Sequence, residues 1–222
     1  LFNGMIRPVM AARYSANNSY REAVTVANAA LTINLVLIGL AATFFAAGGG
    51  DVYLWLSKGK YGADAAVLVL LMCLVMALES WRHSLENLSH TVERYGFLVF
   101  SNAFLGLSLL LGIALAPEYG IAALPAANCA GLVVANVMVA YWLRRTGFPY
   151  QLDMGHIASC AFASAVGLAV AWYLNGVMPQ WWWRIVLASL AYVVVLGLVL
   201  RPRPEEVRIF SAVLRRRRGE PE

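Results

Sequence analysis

The chain has 222 residues, 61% of them hydrophobic and 13% charged, with a mean hydropathy of +0.67, against about 45–50% apolar and about 25% charged residues in a soluble domain. The apolar residues come in blocks of roughly 20 separated by short polar joints, which excludes an ordinary soluble fold and suits helices crossing a ~30 Å hydrocarbon layer better than the alternation of barrel strands. The formal net charge of +5 lies in loops and at the C-terminal end, where membrane topology accounts for it, so no nucleic-acid partner is expected.

The expected fold class is all-α, a multi-pass transmembrane bundle of about six spans. Leu1-Phe2-Asn3 lacks an initiator Met and no signal segment precedes the first span, so the chain reads as a piece of something longer. Residues 1–22 read as the end of a preceding helix and a cytoplasmic loop. Span one is about 23–47, with Asn34 inside it, and Gly48-Gly49-Gly50-Asp51 reads as a glycine stop. Trp55 and Tyr61 in the following joint suit a membrane interface.

Span two, about 63–91, has an uninterrupted apolar part of only about 14 residues, Ala65 to Leu78, too short to cross alone. It must continue into Glu79-Ser-Trp-Arg-His-Ser-Leu-Glu-Asn-Leu-Ser-His90, where nothing breaks a helix. At about 100° per residue, Glu79, Arg82, His83, Glu86 and His90 share one arc while Trp81, Leu85 and Leu88 take the other side. This stripe is either a cavity wall at membrane depth or a solvated cytoplasmic extension held by i,i+3 and i,i+4 pairs.

Span three is about 97–116, closed by Pro117-Glu118-Tyr119-Gly120, and contains Asn102. Span four is about 121–143, where Pro125, Asn128 and Asn136 free or supply polar groups that neighbouring helices must satisfy. Spans five and six are about 154–175 and 184–200, joined through Trp181-Trp182-Trp183, an interface anchor. Residues 201–222 read as a basic cytoplasmic tail. Cys73, Cys129 and Cys160 each sit in an apolar run without Cys-x-x-Cys spacing and read as packing residues. Neither a metal site nor a cofactor is expected. No nucleophile–base pair or phosphate-cradling glycine loop is evident, so the chain does not read as an enzyme.

Lys and Arg set the orientation. Arg7, Arg13, Arg21, Arg94, Arg144, Arg145 and seven arginines of the tail fall on one side of a six-span parsing, against Lys58, Lys60 and Arg184 on the other. By the positive-inside rule both ends are cytoplasmic.

Three stretches, in order, give a resemblance: Ile6-Arg7-Pro8 through Tyr20-Arg21 before a span, Gly59-Lys60-Tyr61-Gly62-Ala63 opening the next, and Pro117-Glu118-Tyr119-Gly120-Ile121-Ala122-Ala123 at the head of a later one. Over roughly residues 1–145 the chain resembles the C-terminal lobe of the oligosaccharide and polysaccharide flippases of the multidrug/oligosaccharidyl-lipid/polysaccharide exporter superfamily. The resemblance implies one lobe of a two-lobe transporter in the bacterial inner membrane, carrying a polyprenyl-diphosphate-linked oligosaccharide for cell-surface polysaccharide synthesis. Its partners would be membrane lipids, that glycan substrate and the missing N-terminal lobe. On this reading Arg82, Glu79, His83 and Glu86 bind substrate, and Asn34, Asn102 and Asn128 line the cavity. A multidrug/cation antiporter of the same superfamily and a non-catalytic membrane scaffold are the alternatives.

Overall fold

Long apolar runs with no water to satisfy their peptide groups must close their hydrogen bonds within the segment, and the chain does so by forming helices throughout. The computed structural model describes residues 8, 10–12, 14–15, 19–56, 58, 64–91, 93, 96–148, 150–201 and 207. In chain order these give α1 (Tyr20–Phe44), a π-helical turn (Phe45–Gly49), α2 (Gly50–Leu56), α3 (Asp64–Thr91), α4 (Gly96–Tyr119), α5 (Ala123–Arg145), α6 (Met154–Val177) and α7 (Trp181–Val199). No strand occurs among the described residues. Among the described residues six helical segments are long and apolar enough to cross a membrane, which agrees with the all-α, six-span expectation. The motifs at residues 1–7, 59–63 and 94–95, and most of the basic tail, lie outside the described residues.

α1 is the hub. It packs on α3 along one side and on α6 and α7 along the other, while α5 lies against α3 and α4 against α5. Its contact faces are built from small residues, which let backbones approach in lipid. Near one end Ala23, Ala27 and Ala30 meet Leu85, Leu88, Val139, Leu143 and Tyr150 in a buried cluster. Near the other, Ala47 meets Ala171, Ile185 and Ala188. Between them a Cβ on Gly39 would stand 2.7 Å from Tyr192 Oη, and one on Gly167 would stand 2.5 Å from Thr43 Oγ1. Tyr192 Oη donates to Val36 O at 2.7 Å, which satisfies the buried phenol.

Two local expectations are corrected and a third is refined. Gly48-Gly49-Gly50 does not stop the first helix: the chain continues through the π turn into α2. In the bundle Gly48 serves close approach, since a Cβ there would lie 2.8 Å from Ile185 Cδ1 and 3.1 Å from Trp181 O. The Pro117-Glu118-Tyr119-Gly120 stretch does close α4, which takes in Pro117 and ends at Tyr119; a proline costs the hydrogen bond to the turn before it and leaves the residues after it free to stay helical. The turn comes at Gly120, at φ +74°, a conformation glycine adopts without strain. Pro125 frees nothing, because it falls in the first turn of α5, where a backbone N–H has no intrahelical acceptor in any case.

The outer faces carry large exposed apolar side chains such as Val99, Leu107, Leu110, Trp172 and Leu198. These suit hydrocarbon rather than water. Trp182 and Trp183 stack at 4.5 Å between ring centroids at the start of α7.

Candidate functional site

The polar stripe of α3 belongs to one unbroken helix of 28 residues. Its second half is packed rather than free, with Arg82, Ser84, Leu85, Leu88 and Ser89 all buried. Three serines ease this burial by donating to carbonyls one turn back: Ser80 to Met76 O at 2.8 Å, Ser84 to Ser80 O at 3.0 Å and Ser89 to Leu85 O at 2.8 Å.

Arg82, only 5% exposed, is the centre of the cluster. Its Nη1 donates to Ser101 Oγ at 3.0 Å and its Nη2 to Asn102 Oδ1, both on α4. Its Nη2 also lies 2.9 Å from Glu86 Oε1, one turn along α3. A buried guanidinium is tolerated only when its donors are occupied and its charge is met, and here one carboxylate and two neutral acceptors do so. The other oxygen of Glu86 lies 3.3 Å from His83 Nδ1. Glu86 thus bridges a buried arginine to a half-exposed histidine. Glu79 stands one turn earlier, partly buried, with no hydrogen bond or ion pair among the described residues.

Of the seven residues singled out from sequence, the structure joins Arg82, Glu86, His83 and Asn102 in one connected network. Asn34 on α1 and Asn128 on α5 are partly buried and make no hydrogen bond to it. Asn136 on α5 reaches the adjoining level of α3 and donates Nδ2 to Leu78 O at 2.9 Å, an interhelical bond of the kind that holds bundles together in lipid. Ser101 was missed by sequence reasoning. The signal was the Ser101-Asn102 pair, the first polar residues of an otherwise apolar helix.

A second polar group, also not anticipated, lies at the opposite end. Arg184 of α7 pairs with Asp51 of α2 and donates Nη1 to Asn175 Oδ1 of α6 at 2.9 Å. Asn175 in turn donates Nδ2 to Ala46 O at 3.0 Å, satisfying a carbonyl within the π turn. At the start of α6 Asp153 caps the helix, accepting from His156 N at 3.3 Å, and His156 Nε2 donates to Arg201 O at 3.3 Å.

No family model matches this sequence, and no curated protein sequence matches it. Among solved structures, the chain is similar to the lipid II flippase MurJ in an inward closed conformation. The TM-score is 0.66 at 13% identity, and the superposition covers 99% of this chain and 44% of that one. The chain therefore spans less than half the length of the flippase it matches, and the likeness gives it a fold like that of part of that protein.

Proposed function

We propose that this chain is the C-terminal lobe of a flippase that moves a polyprenyl-diphosphate-linked oligosaccharide across the bacterial inner membrane for cell-surface polysaccharide synthesis. The observation that carries the reading is the superposition of nearly the whole chain on part of the lipid II flippase MurJ. The placement of the two ends in the cytoplasm rests on the distribution of Lys and Arg.

In this proposal α3 supplies the substrate contact. Arg82 sits nine residues before Thr91, so about 14 Å along the axis from the helix end at 1.5 Å per residue. A planar guanidinium held at that depth suits the diphosphate, an oxyanion it can bind through two bonds while remaining protonated. In the present state its donors are committed to Glu86, Ser101 and Asn102. Substrate binding is then an exchange of acceptors, entered from the side of Asn102, which is exposed on α4. Glu79 and Glu86 compensate the arginine, and His83 supplies an imidazole, the side-chain type whose unperturbed charge changes in the physiological pH range. Asn34 and Asn128 line the cavity from α1 and α5.

The experiment is export of lipid-linked oligosaccharide by the complete protein carrying Arg82→Ala, Glu79→Gln or His83→Ala one at a time. Loss of export with Arg82→Ala at unchanged membrane abundance supports the reading, and undiminished export in all three removes it. Burial of Arg82 favours a transport role over a solvated docking helix on a scaffold. Its positive charge favours an anionic substrate over the cation of an antiporter.

A further inference from the structure

Where α5 ends, residues 146–148 and 150–152 leave a groove of about 620 Å³ lined by Arg144, Gly147, Phe148, Tyr150, Gln151 and Leu152. Its frame is fixed from several helices. Gly147 takes φ +83°, the side chains of Phe148 and Tyr150 are buried, Trp81 Nε1 of α3 donates to Tyr150 Oη at 2.9 Å, and Asn28 Nδ2 of α1 donates to Gln151 O at 2.9 Å.

One cation is built into this frame. Arg144 donates Nε to Tyr150 O at 2.9 Å, which sets the guanidinium in place and leaves its two terminal nitrogens without a hydrogen-bond partner among the described residues. No carboxylate pairs with Arg144 or with its neighbour Arg145 among those residues. Three of the last four carbonyls of α5, an end that would repel an anion, already accept hydrogen bonds. Thr146 N donates to Trp142 O, Thr146 Oγ1 and Phe148 N to Leu143 O, and Gly147 N to Arg144 O.

The depth of the groove follows from the helix it terminates. α5 is long enough to cross the hydrocarbon layer, so its penultimate residue, Arg144, stands at the level of the lipid headgroups. Tyr14, Tyr20 and Phe148 form a run of ring contacts beside it, with centroids 5.2 and 5.0 Å apart, as aromatic residues do at that level. A planar fork with its stem pinned and its outer edge open recognises an oxyanion through two parallel bonds. Because the stem is already ordered, little conformational entropy remains to be lost on binding. At headgroup depth the abundant oxyanion of that shape is a lipid phosphodiester. We propose that this groove holds the phosphate of an anionic phospholipid from the leaflet on which it opens, with Arg144 as its ligand.

The test places the complete protein in nanodiscs of phosphatidylcholine alone or with phosphatidylglycerol added, and reads the unfolding midpoint together with the phosphatidylglycerol retained in native mass spectrometry. Phosphatidylglycerol is expected to raise the midpoint of the wild type and of Arg145→Gln. In Arg144→Gln that increment should disappear and retention should fall roughly five- to tenfold. Arg144→Lys, which keeps the charge without the fork, should fall between them. An Arg144→Gln increment equal to that of the wild type would overturn the proposal. So would equal losses in the two glutamine variants, which would mean bulk surface charge, or the same increment from millimolar inorganic phosphate in phosphatidylcholine alone, which would mean a site for free phosphate. Should Arg144→Gln fail to unfold cooperatively in phosphatidylcholine, the comparison of Arg144→Lys with Arg145→Gln decides: a larger loss in the lysine variant supports the site, and an equal or smaller one overturns it.

Discussion

Glu86 holds Arg82 through one oxygen at 2.9 Å and approaches His83 through the other at 3.3 Å, so a single carboxylate ties the buried and the exposed parts of the α3 stripe together. The same guanidinium reaches Ser101 and Asn102 on α4. Removing the arginine unpairs groups on two helices, whereas removing Glu86 leaves an uncompensated buried cation. Arg82→Ala should destabilise the chain by about 1–3 kcal/mol, and Glu86→Ala by a similar amount. A double-mutant cycle on unfolding in detergent should return a coupling of about 0.5–3 kcal/mol. Strict additivity would show that the pair contributes nothing beyond its separate parts.

Glycines in the bundle divide into those pressed by a neighbour and those that are not. Gly39→Ala and Gly167→Ala would each drive a methyl into the Tyr192 and Thr43 region and should cost about 1–3 kcal/mol by overpacking. At Gly106 a Cβ meets nothing within 4 Å, so alanine there should be neutral or should stabilise by up to about 1 kcal/mol through helix propensity. Unfolding midpoints of the three variants, compared side by side, check the sign.

Tyr150 offers a pH-dependent test outside the spans. Burial pushes its phenol well above the usual tyrosine range, against smaller opposing effects of the Trp81 hydrogen bond and the Arg144 charge. The folded state therefore holds this proton more tightly than the unfolded chain. Its contribution is fully present below the unfolded value of about 10 and declines as pH rises above it. Tyr150→Phe should flatten the loss of stability above about pH 10 relative to the wild type. At neutral pH it should cost about 1 kcal/mol, because Trp81 Nε1 loses its acceptor.

The Arg184–Asp51–Asn175 group predicts a local effect rather than a global one. Asn175→Ala removes the donor to Ala46 O and an acceptor of Arg184. Amide exchange through the π turn and α2 should accelerate several-fold while α3 to α5 stay protected. Uniform acceleration across all helices would place the effect on global stability instead.

Much of the architecture was legible because lipid imposes it. Six apolar runs, a span that could not cross on 14 apolar residues, and tryptophans at helix starts all follow from the thickness of the hydrocarbon layer. The continuity of α3 through Glu79 to His90 was legible for the same reason. Punctuation read less well at Gly48 to Gly50, a helix stop in water, where the chain here runs on through the π turn and Gly48 packs against Ile185. Among the polar residues, helical periodicity grouped Arg82 with Glu86 and His83 because they share one helix. It could not reveal Ser101, the bond from Arg82 to Asn102 or the pairing of Asp51 with Arg184, since which helix faces which is decided by tertiary packing. The fold of Tyr150 over the end of α5 was hidden for that reason too.

The most direct test of the central claim is a translocation assay in proteoliposomes containing the complete protein and a fluorescent polyprenyl-diphosphate oligosaccharide, comparing wild type with Arg82→Ala and Arg82→Lys. The account predicts substrate flipping by the wild type, loss of at least roughly tenfold with alanine, as the removal of a charge-assisted contact to phosphate implies, and partial activity with lysine. Equal flipping by all three proteins, at equal incorporation, would contradict it.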